Sequence, residues 1–407
     1  MKKIKLDSIL LFSFVIPFIM TVRLGPKDTP YWFFSLIFLL LLVYLVLDIA
    51  RLSEKTYAML KKSILWGIII FVLGSAFSSA IIVRHQTHPV YQIHDMPLQQ
   101  EIAIRFLLDG KNPYNTSYFG TFLEQWHYSD TEINPALYHF VLPPFYILFA
   151  IPFYFLSNHT IGYFDARIPL LFLNFFLLIT GSLFVKNEDK KRSFLMFLAF
   201  NPAMLLYTLE GRSDIFMLAF FVFGLWLLQK KRYGFAGVFM ALAFAIKQSV
   251  WPFFPFYASY VYFQTKNIKQ TIIYFVPFAI TFFAIVAPFF FWNSKAFLDS
   301  VIFYLSGATT QSYPISGYGF GMMLREFNFI KDVHAYYPFI VWQIIFGLPL
   351  LYILIKFLWS KPTIQRLLIS YGIFLFVFWY LSRYFNNSHL AYLSVVFIIA
   401  YFWPDEK

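Results

Sequence analysis

One carboxylate in the longest polar interval of the chain has a position that suits general-base chemistry. Asp95 follows His94 and precedes Met96-Pro97. Apolar side chains then recur at helical spacing as far as Gly110, which is placed to end the helix. Asp95 would therefore lie at the N-terminal end of a helix, where the helix dipole favours the ionised form. A carboxylate held there could take a proton from a hydroxyl nucleophile.

Other ionisable residues could supply the positive charge that a departing phosphate needs. Between Ser193 and Tyr262, short apolar pieces are separated by polar breaks, which membrane proteins tolerate only in buried or wet cavities. The candidates for phosphate binding are Lys247, Arg383, His389 and Arg212. The candidates for contact with a sugar or an acceptor are Asp214, His94, Asn112, Tyr114 and Glu124. Asp214 could also orient Arg212 or Lys247.

Each candidate also has an ordinary structural interpretation. A loop aspartate is often only a capping residue, and Arg383 could simply reach lipid headgroups. Glu101 and Glu124 are expected to be solvated, with Glu124 in reserve as the base. The histidines of this loop match no common zinc spacing. Asp95 together with Asp214 could bind a divalent cation such as Mg²⁺ or Mn²⁺, and no other cofactor is expected.

The composition indicates an integral membrane protein. Of 407 residues, 60% are hydrophobic and only 13% are charged, whereas a soluble chain carries about a quarter charged residues. The net charge of +12 does not indicate nucleic-acid binding, because the basic residues form short clusters between apolar runs, as in cytoplasmic loops. These clusters are Lys2-Lys3-Lys5, Arg51–Lys62, Lys186–Arg192, Lys230–Arg232, Lys266 with Lys269, and Lys356–Arg366. The chain has no cysteine, which excludes disulfides and thiolate metal sites.

The apolar runs predict an all-α fold, a polytopic bundle of about 11–13 membrane helices with interfacial helices in the outer loops. The clearest spans are Ser8–Val22, Tyr31–Leu47, Ser63–Val83, Ile168–Val185, Ile272–Trp292, Phe339–Leu358, Leu367–Leu381 and Leu390–Trp403. The predicted organisation is a single membrane domain over residues 1–407. Its parts are three N-terminal spans (1–83), a catalytic outer loop (84–135), core spans with broken helices (136–292), a second outer loop (293–338) and C-terminal spans (339–407).

The basic clusters also predict the orientation. If they lie inside the cell, Asp95, Asp214, Lys247 and Arg383 all face outside. Two full crossings before Lys186–Arg192 would break this rule. The segment Pro135–Leu156 is rich in proline, so it is expected to re-enter or to lie at the membrane surface.

The motifs resemble those of the GT-C superfamily of membrane glycosyltransferases. The resemblance is in particular to glycosyltransferase family 87 and its PIG-M-like relatives, which are mannosyltransferases that use polyprenol-phosphate-mannose. It rests on short motifs between Val90 and Leu390, which are Asp95 with its helix and Gly110–Tyr114, Leu142–Phe145, Gly211–Asp214 followed by Lys247, and Arg383–Leu390. Arg212 stands where glutamine is more usual, and the "DxD" form of some relatives is absent.

The resemblance implies an inverting transferase with Asp95 as general base. It would move a hexose, most of all mannose, from a polyprenyl-phosphate donor to a lipid- or glycan-linked acceptor. A cell-envelope glycan would be built in this way on the outer face of a prokaryotic plasma membrane. The alternatives are a transporter or flippase of lipid-linked saccharides, and a polymerase or ligase that uses lipid-diphosphate donors. The isolated carboxylate and the lack of an internal inverted repeat favour the enzyme over the carrier.

Overall fold

The computed structural model describes residues 4–21, 31–127, 129–130 and 132–404. Helices make up 73% of it. The first are α1 Leu6–Thr21, α2 Tyr31–Val46, α3 Glu54–Thr87, α4 Asp95–Leu108, α5 Phe145–Thr160, α6 Arg167–Phe184, α7 Glu188–Ala199, α8 Leu205–Leu209 and α9 Asp214–Gln229. The others are α10 Tyr233–Phe244, α11 Phe254–Thr265, α12 Ile268–Trp292, α13 Ser294–Leu298, α14 Tyr304–Ser306, α15 Phe320–Glu326, α16 Phe339–Ser360, α17 Ile364–Tyr380 and α18 Asn387–Phe402. The predicted all-α class is confirmed.

Short irregular elements connect these helices. Single 3₁₀ turns lie at Phe122–Gln125, Pro135–Leu137 and Gln248–Phe253, and a π turn lies at Asp299–Phe303. Two strands of two residues each, β1 Ser316–Gly317 and β2 Tyr384–Phe385, pair in parallel. The pairing joins the segment before α15 to the turn between α17 and α18.

Four helices among the described residues, α3, α6, α12 and α16, are long and apolar enough to cross a membrane. Six shorter helices are also apolar. On α12 and α16 most side chains remain exposed, as expected of helices that face lipid. The predicted spans match helices within a few residues at most ends, although α3 extends well beyond Ser63–Val83 at its start. Val22, Lys2 and Lys3 lie outside the described residues.

Ion pairs tie four helices together at one end of the bundle. Lys61 on α3 places Nζ 2.8 Å from Oδ1 of Asp48, just after α2. Arg192 on α7 places Nε 2.7 Å from Oδ2 of Asp7 on α1. These side chains are all buried. Two of the basic clusters therefore share one end of the molecule, which agrees with the orientation predicted from the sequence.

A second ion-pair cluster marks the opposite end. Arg84, near the end of α3, makes two hydrogen bonds of 2.7 and 2.8 Å to the carboxylate of Glu101 on α4. It also donates to Asp165, just before α6, at 2.8 Å. Glu101 is 2% exposed. The prediction that Glu101 is solvated is therefore wrong, because Arg84 reaches it from another helix and replaces its hydration.

Helix α4 begins at Asp95 as predicted, and Gly110 with φ of 73° follows its end. The polar residues Gln99 and Gln100 of α4 are not open to solvent but buried. Gln99 donates to the backbone carbonyls of Ala136 and His139, both at 2.6 Å. The helix is thus enclosed by its own loops rather than lying open at the membrane surface.

Helix α5 contains most of the proline-rich segment. Gln100 on α4 donates to the carbonyl of Tyr146, close to the start of α5. The backbone N–H of Ala166, just after α5, donates to Glu101 at 3.0 Å. Since both flanks of α5 meet neighbouring residues of α4, the segment returns to the end of the molecule from which it started. This agrees with the predicted re-entrant or surface-lying segment.

The glycine-rich stretch from Gly317 to Gly321 could be taken from its sequence for a flexible hinge, but it is closely packed. A Cβ atom at Gly317, where φ is 86°, would lie 2.0 Å from the carbonyl oxygen of Phe385. One at Gly319 would lie 2.8 Å from the carbonyl oxygen of Tyr380. These glycines let the second loop pack directly on the backbone between α17 and α18.

Candidate active site

The start of α4 is fixed from two sides. The backbone N–H of His94 donates to the carbonyl of Glu210 at 2.8 Å. The next residue of that turn, Gly211, has φ of 90°, and a Cβ atom there would lie 2.8 Å from Cγ of Pro97. Only glycine allows the turn to approach α4 so closely. The carboxylate of Asp95 is therefore held beside the turn that carries Arg212.

Asp95 contacts His94 and Asn134. Oδ1 of Asp95 is buried 2.5 Å from Nδ1 of His94. Oδ2 accepts a long hydrogen bond of 3.4 Å from Nδ2 of Asn134. Nδ1 of His94 also lies 3.3 Å from the backbone N–H of Met96. Because Nδ1 either carries a proton or accepts one, it can serve Asp95 or Met96 but not both at once.

The surroundings of Asp95 favour its ionised form. Burial by itself raises the pKa of the Asp95 carboxyl, because the charged form loses hydration. His94, the hydrogen bond from Asn134 and the charge of Arg212 act in the opposite direction and outweigh burial. The pKa of Asp95 therefore lies below its ordinary value of 3.8. At neutral pH the side chain is a carboxylate able to accept a proton.

A cavity of about 820 Å³ collects most of the residues singled out in the sequence. These residues come from segments that are far apart in the chain. They are His94, Asp95, Arg212, Asp214, Lys247, Arg383 and His389. Asp95 keeps 17% of its side chain exposed. The cavity thus brings one accessible carboxylate together with several cationic groups.

Two cations of this cavity are each paired with a carboxylate. Nζ of Lys247 lies 2.7 Å from Oδ1 of Asp214, which confirms the predicted pairing of these two residues. Nε of Arg212 lies 3.3 Å from Oε2 of Glu210, and its guanidinium lies over the ring of Tyr207 at 4.3 Å. Both cations keep spare donors, since an ammonium has three and a guanidinium five. Either could bind an anion without losing its partner.

Arg383 makes a different set of contacts. Its three nitrogens donate to the backbone carbonyls of Tyr313, Val333 and Ala335, the last two at 3.0 and 2.9 Å. The side chain is buried, and no carboxylate of the described residues lies within ion-pair distance of it. Arg383 therefore fastens the second loop over the cavity and does not reach headgroups. Its predicted phosphate contact stays a prediction.

His389 caps the helix that carries it. In α18 its Nδ1 lies 2.8 Å from Oδ1 of Asn386, with the backbone N–H of Asn386 at 3.2 Å. The ring packs edge-on against Trp379, with the centroids 4.5 Å apart. The capping interpretation of His389 is thus correct, and the ring also lines the cavity. Both roles that the sequence allowed occur in one side chain.

Asn112, Tyr114 and Glu124 do not line this cavity. The hydroxyl of Tyr114 is buried and donates to the carbonyl of Leu142 at 2.8 Å, and Asn112 accepts from the backbone N–H of Tyr114 at 3.0 Å. Glu124 is exposed and accepts from the backbone N–H of Gly120 at 2.9 Å. These contacts support loop geometry, and nothing in them adds to the prediction of sugar binding.

Two residues of the site were not among the predicted ones. Asn134 hydrogen-bonds Asp95 from a loop that appeared ordinary. Gln248, next to Lys247, donates to the carbonyls of Val141 and Val301 at 2.7 and 3.0 Å and so joins two cavity walls. Both contacts span many residues of sequence, and an isolated amide side chain has no spacing pattern that could reveal them.

No group of three or more His, Asp or Glu side chains in the described part of the chain is arranged to hold a metal ion. Asp95 and Asp214 share the cavity, but no measured contact joins them. The divalent cation stays a prediction.

The sequence was compared with models of known protein families, and one of them matches. The model of glycosyltransferase family 87 matches residues 140–402, well over half of the chain. The chain belongs to glycosyltransferase family 87. This family 87 protein is therefore a glycosyltransferase, and the resemblance seen in the sequence is confirmed at that level. The match includes Arg212, Lys247 and Arg383, whereas His94 and Asp95 precede it. No curated protein and no solved structure matches the chain.

Proposed function

We propose that this glycosyltransferase moves a hexose, mannose first among the candidates, from a polyprenyl-phosphate donor to a hydroxyl acceptor, with Asp95 as general base. The observation that carries the proposal is the composition of one cavity. It places an ionised, accessible carboxylate together with the cations Arg212 and Lys247. A base for the nucleophile and positive charge for the leaving group are the two things that this reaction needs.

The reaction would be a single displacement. The acceptor oxygen attacks the anomeric carbon while the bond from that carbon to the phosphate oxygen breaks. The proton of the acceptor goes to Asp95, at Oδ2, which has one long hydrogen bond and room for another. The bonding electrons leave with the polyprenyl phosphate, whose charge Lys247 and Arg212 would stabilise. Attack opposite the leaving group inverts the anomeric centre.

The apolar residues of the cavity support a lipid donor. They include Trp251, Phe374 and Phe378, together with Ile340 near the start of α16. Ile340 is 52% exposed on a helix that faces lipid. A polyprenyl chain could therefore leave the cavity between helices and enter the bilayer. A water-soluble nucleotide sugar has no apolar chain that could pack against these residues.

The orientation of the basic clusters supports a site on the extracytoplasmic side. The cluster of Lys61 and Arg192 lies at the opposite end of the molecule from Glu101 and Arg84. Under the positive-inside rule, the cavity then faces away from the cytoplasm. The plasma membrane of a prokaryote remains the expected location.

The experiment that tests the proposal is transfer of radiolabelled sugar by the purified protein. Polyprenyl-phosphate-mannose, polyprenyl-phosphate-glucose and a polyprenyl-diphosphate sugar are compared, each with and without EDTA, for the wild type and Asp95→Asn. We expect transfer from a monophosphate donor that falls at least about 100-fold in the variant, since a positioned base contributes about 10²–10⁴.

Three outcomes would change the proposal. Full activity of Asp95→Asn would remove Asp95 from the mechanism. Transfer from the diphosphate donor alone would favour the polymerase or ligase. Loss of activity with EDTA would establish a divalent cation, with Asp214 as the first ligand to test.

A further inference from the structure

A second cavity of about 1060 Å³ lies on the other side of His94 and Arg212. We propose that it binds the acceptor, and that the acceptor is a glycolipid whose sugar unit offers the reacting hydroxyl. This inference rests on the proposed function, because it assumes that the first cavity holds the donor. It assigns residues that the sequence did not single out.

The two cavities meet at a thin wall. The residues that line both are His94, Arg212, Tyr313, Asn386 and Ser388. Asp95 lines the first cavity and adjoins His94, whose ring nitrogen lies 2.5 Å from its carboxylate. A hydroxyl that reaches past His94 from the second cavity would meet the proposed base and the anomeric carbon of a donor held in the first cavity. The arrangement suits two substrates that approach from separate sides.

The loop end of the second cavity is suited to a sugar. Aromatic rings line it together with amide side chains, and none of these residues is in the first cavity. They are Tyr91, Trp126, Tyr207, Tyr318, Gln92 and Asn387. The apolar face of a pyranose packs on aromatic rings, and amides both donate to and accept from hydroxyl groups. Gln92 has φ of 51°, a conformation that costs free energy and is concentrated at binding sites.

The charged residues of this cavity favour an acceptor whose sugar unit is uncharged. Among the described residues that line it, the only Asp, Glu, Lys or Arg side chains are Glu210 and Arg212. They pair with each other at 3.3 Å. This lining offers a single cation and a single carboxylate, too few to match the several charges of an acidic or basic peptide. A sugar unit needs none.

The other end of the cavity is mostly apolar. On α3 the small side chains of Ala76, Ser79 and Ala80 leave a groove beside Val83, and Thr87 is the second polar residue of this wall. Leu206 and Leu209 of α8 form the facing wall, and Leu206 is 41% exposed. A free sugar would leave this groove empty, and a plain lipid alcohol would leave the aromatic rings and amides unused. A glycolipid fills both ends.

The test uses the full-length protein in phosphatidylcholine nanodiscs with radiolabelled polyprenyl-phosphate-mannose. The acceptors are octyl α-mannoside, octyl β-glucoside, octan-1-ol and methyl α-mannoside, and donor hydrolysis without acceptor reports on the donor side. The variants are Tyr91→Ala and Tyr318→Ala, whose side chains are 39% and 66% exposed, so that folding should not suffer. Phe329→Ala is the matched control, since Phe329 is 76% exposed in the same loop as Tyr318 and lines neither cavity.

We expect at least one octyl glycoside to accept mannose, and octan-1-ol and methyl mannoside to accept far less. Each tyrosine variant should raise the KM for the octyl glycoside at least about fivefold, as loss of one aromatic contact implies. The rate of donor hydrolysis should stay the same in all variants. Equal use of octan-1-ol or of methyl mannoside, or an unchanged acceptor KM in both variants, overturns the inference.

The donor reaction and the acceptor site can fail separately. Asp95-dependent donor hydrolysis without any glycoside specificity overturns only the acceptor inference. If the donor is never cleaved, the proposed function fails, and the direct binding of octyl mannoside to the donor-free protein decides the acceptor site. Binding that weakens in Tyr91→Ala and Tyr318→Ala but not in Phe329→Ala supports the site. The absence of binding overturns it.

Discussion

The environment of Asp95 suits the role of general base that we propose for it. Its carboxylate is largely enclosed, yet His94, Asn134 and Arg212 keep its pKa below the ordinary value. A carboxylate with a low pKa binds a proton weakly. We therefore expect Asp95 to accept the proton of the acceptor hydroxyl late in the reaction, as the bond to the leaving group breaks. The pairing of Lys247 with Asp214 likewise holds an ammonium in the cavity, where the proposed donor phosphate would bind.

The pH dependence of transfer should follow the ionisation of Asp95. Because the active form is the carboxylate, activity is lost as the pH falls through its pKa, which lies below 3.8. We expect the acidic limb of kcat/KM to lie below pH 4 on this basis. Asn134→Leu removes a hydrogen bond to the charged form, so it should move this limb to higher pH.

The measurement is kcat/KM for the donor as a function of pH, from the lowest pH at which the protein stays folded up to neutral pH. Gln125→Leu, an exposed amide in the same loop that lines neither cavity, is the control. An acidic limb that stays in place in Asn134→Leu would contradict the link between Asn134 and the base.

At the scale of elements, α4 is held by buried ion pairs as well as by the apolar residues that identified it in the sequence, such as Leu98 and Ile102 in the core. Arg84 holds Glu101 and Asp165 in one buried cluster, and Arg167 adds two further hydrogen bonds to Asp165. The carboxylates of Glu101 and Asp165 would be unpaired without these guanidinium groups. The start of α4, and with it Asp95, depends on this cluster.

Removal of Arg84 should therefore cost stability and also misplace the base. In Arg84→Met the buried carboxylate of Glu101 loses its charged partner, a change that costs about 3–5 kcal/mol in buried ion pairs. We expect a marked fall in Tm in detergent and a lower kcat with little change in the donor KM. The control is Glu124→Gln, since Glu124 is an exposed carboxylate in the loop after α4. It should leave the Tm and kcat unchanged. A normal Tm in Arg84→Met would show that packing alone holds α4.

The second loop is an element of the site because β1, β2 and Arg383 fasten it over the cavity. Gly317 permits the contact between β1 and the carbonyl of Phe385, and Gly307 leaves room for the guanidinium of Arg383. A single methyl group at either position would displace the loop.

Two glycines allow a matched test of this contact. Gly317→Ala would place Cβ 2.0 Å from a backbone oxygen, whereas Gly120→Ala has a similar φ of 76° and nothing within 4 Å. Gly120→Ala should show only the conformational cost of about 1 kcal/mol. We expect a clearly larger loss of Tm and of transfer activity in Gly317→Ala. Equal effects of the two variants would mean that the loop is free to move away from Phe385.

At the scale of the whole molecule, the two buried ion-pair clusters define two ends, and the candidate cavities lie at the end of Arg84 and Glu101. The proposed orientation puts that end outside the cell. It also puts the two cavities, for which we propose donor and acceptor binding, where lipids of the outer leaflet could enter them from the side.

The absence of natural cysteines makes this orientation easy to test. The two test substitutions are Asn115→Cys and Lys190→Cys. Asn115 lies in the loop after α4, Lys190 lies at the start of α7, and both side chains are exposed. In intact cells a membrane-impermeant maleimide should label position 115 and spare position 190, while both should react after the cells are opened. The reverse pattern would place the cavities on the cytoplasmic side.

The sequence by itself determined the fold class of this protein, its family and most of the residues of the candidate site. Hydropathy and helical periodicity are local properties, so they were sufficient for the membrane helices, for the start of α4 at Asp95 and for the ionisable residues between apolar runs. Short motifs were sufficient for the family. Pairings between residues far apart depend on how helices pack, and only the tertiary structure decided them. It buried Glu101 against Arg84, assigned Arg383 to the loop carbonyls, moved Asn112 and Tyr114 away from the cavity and opened the second cavity beside His94.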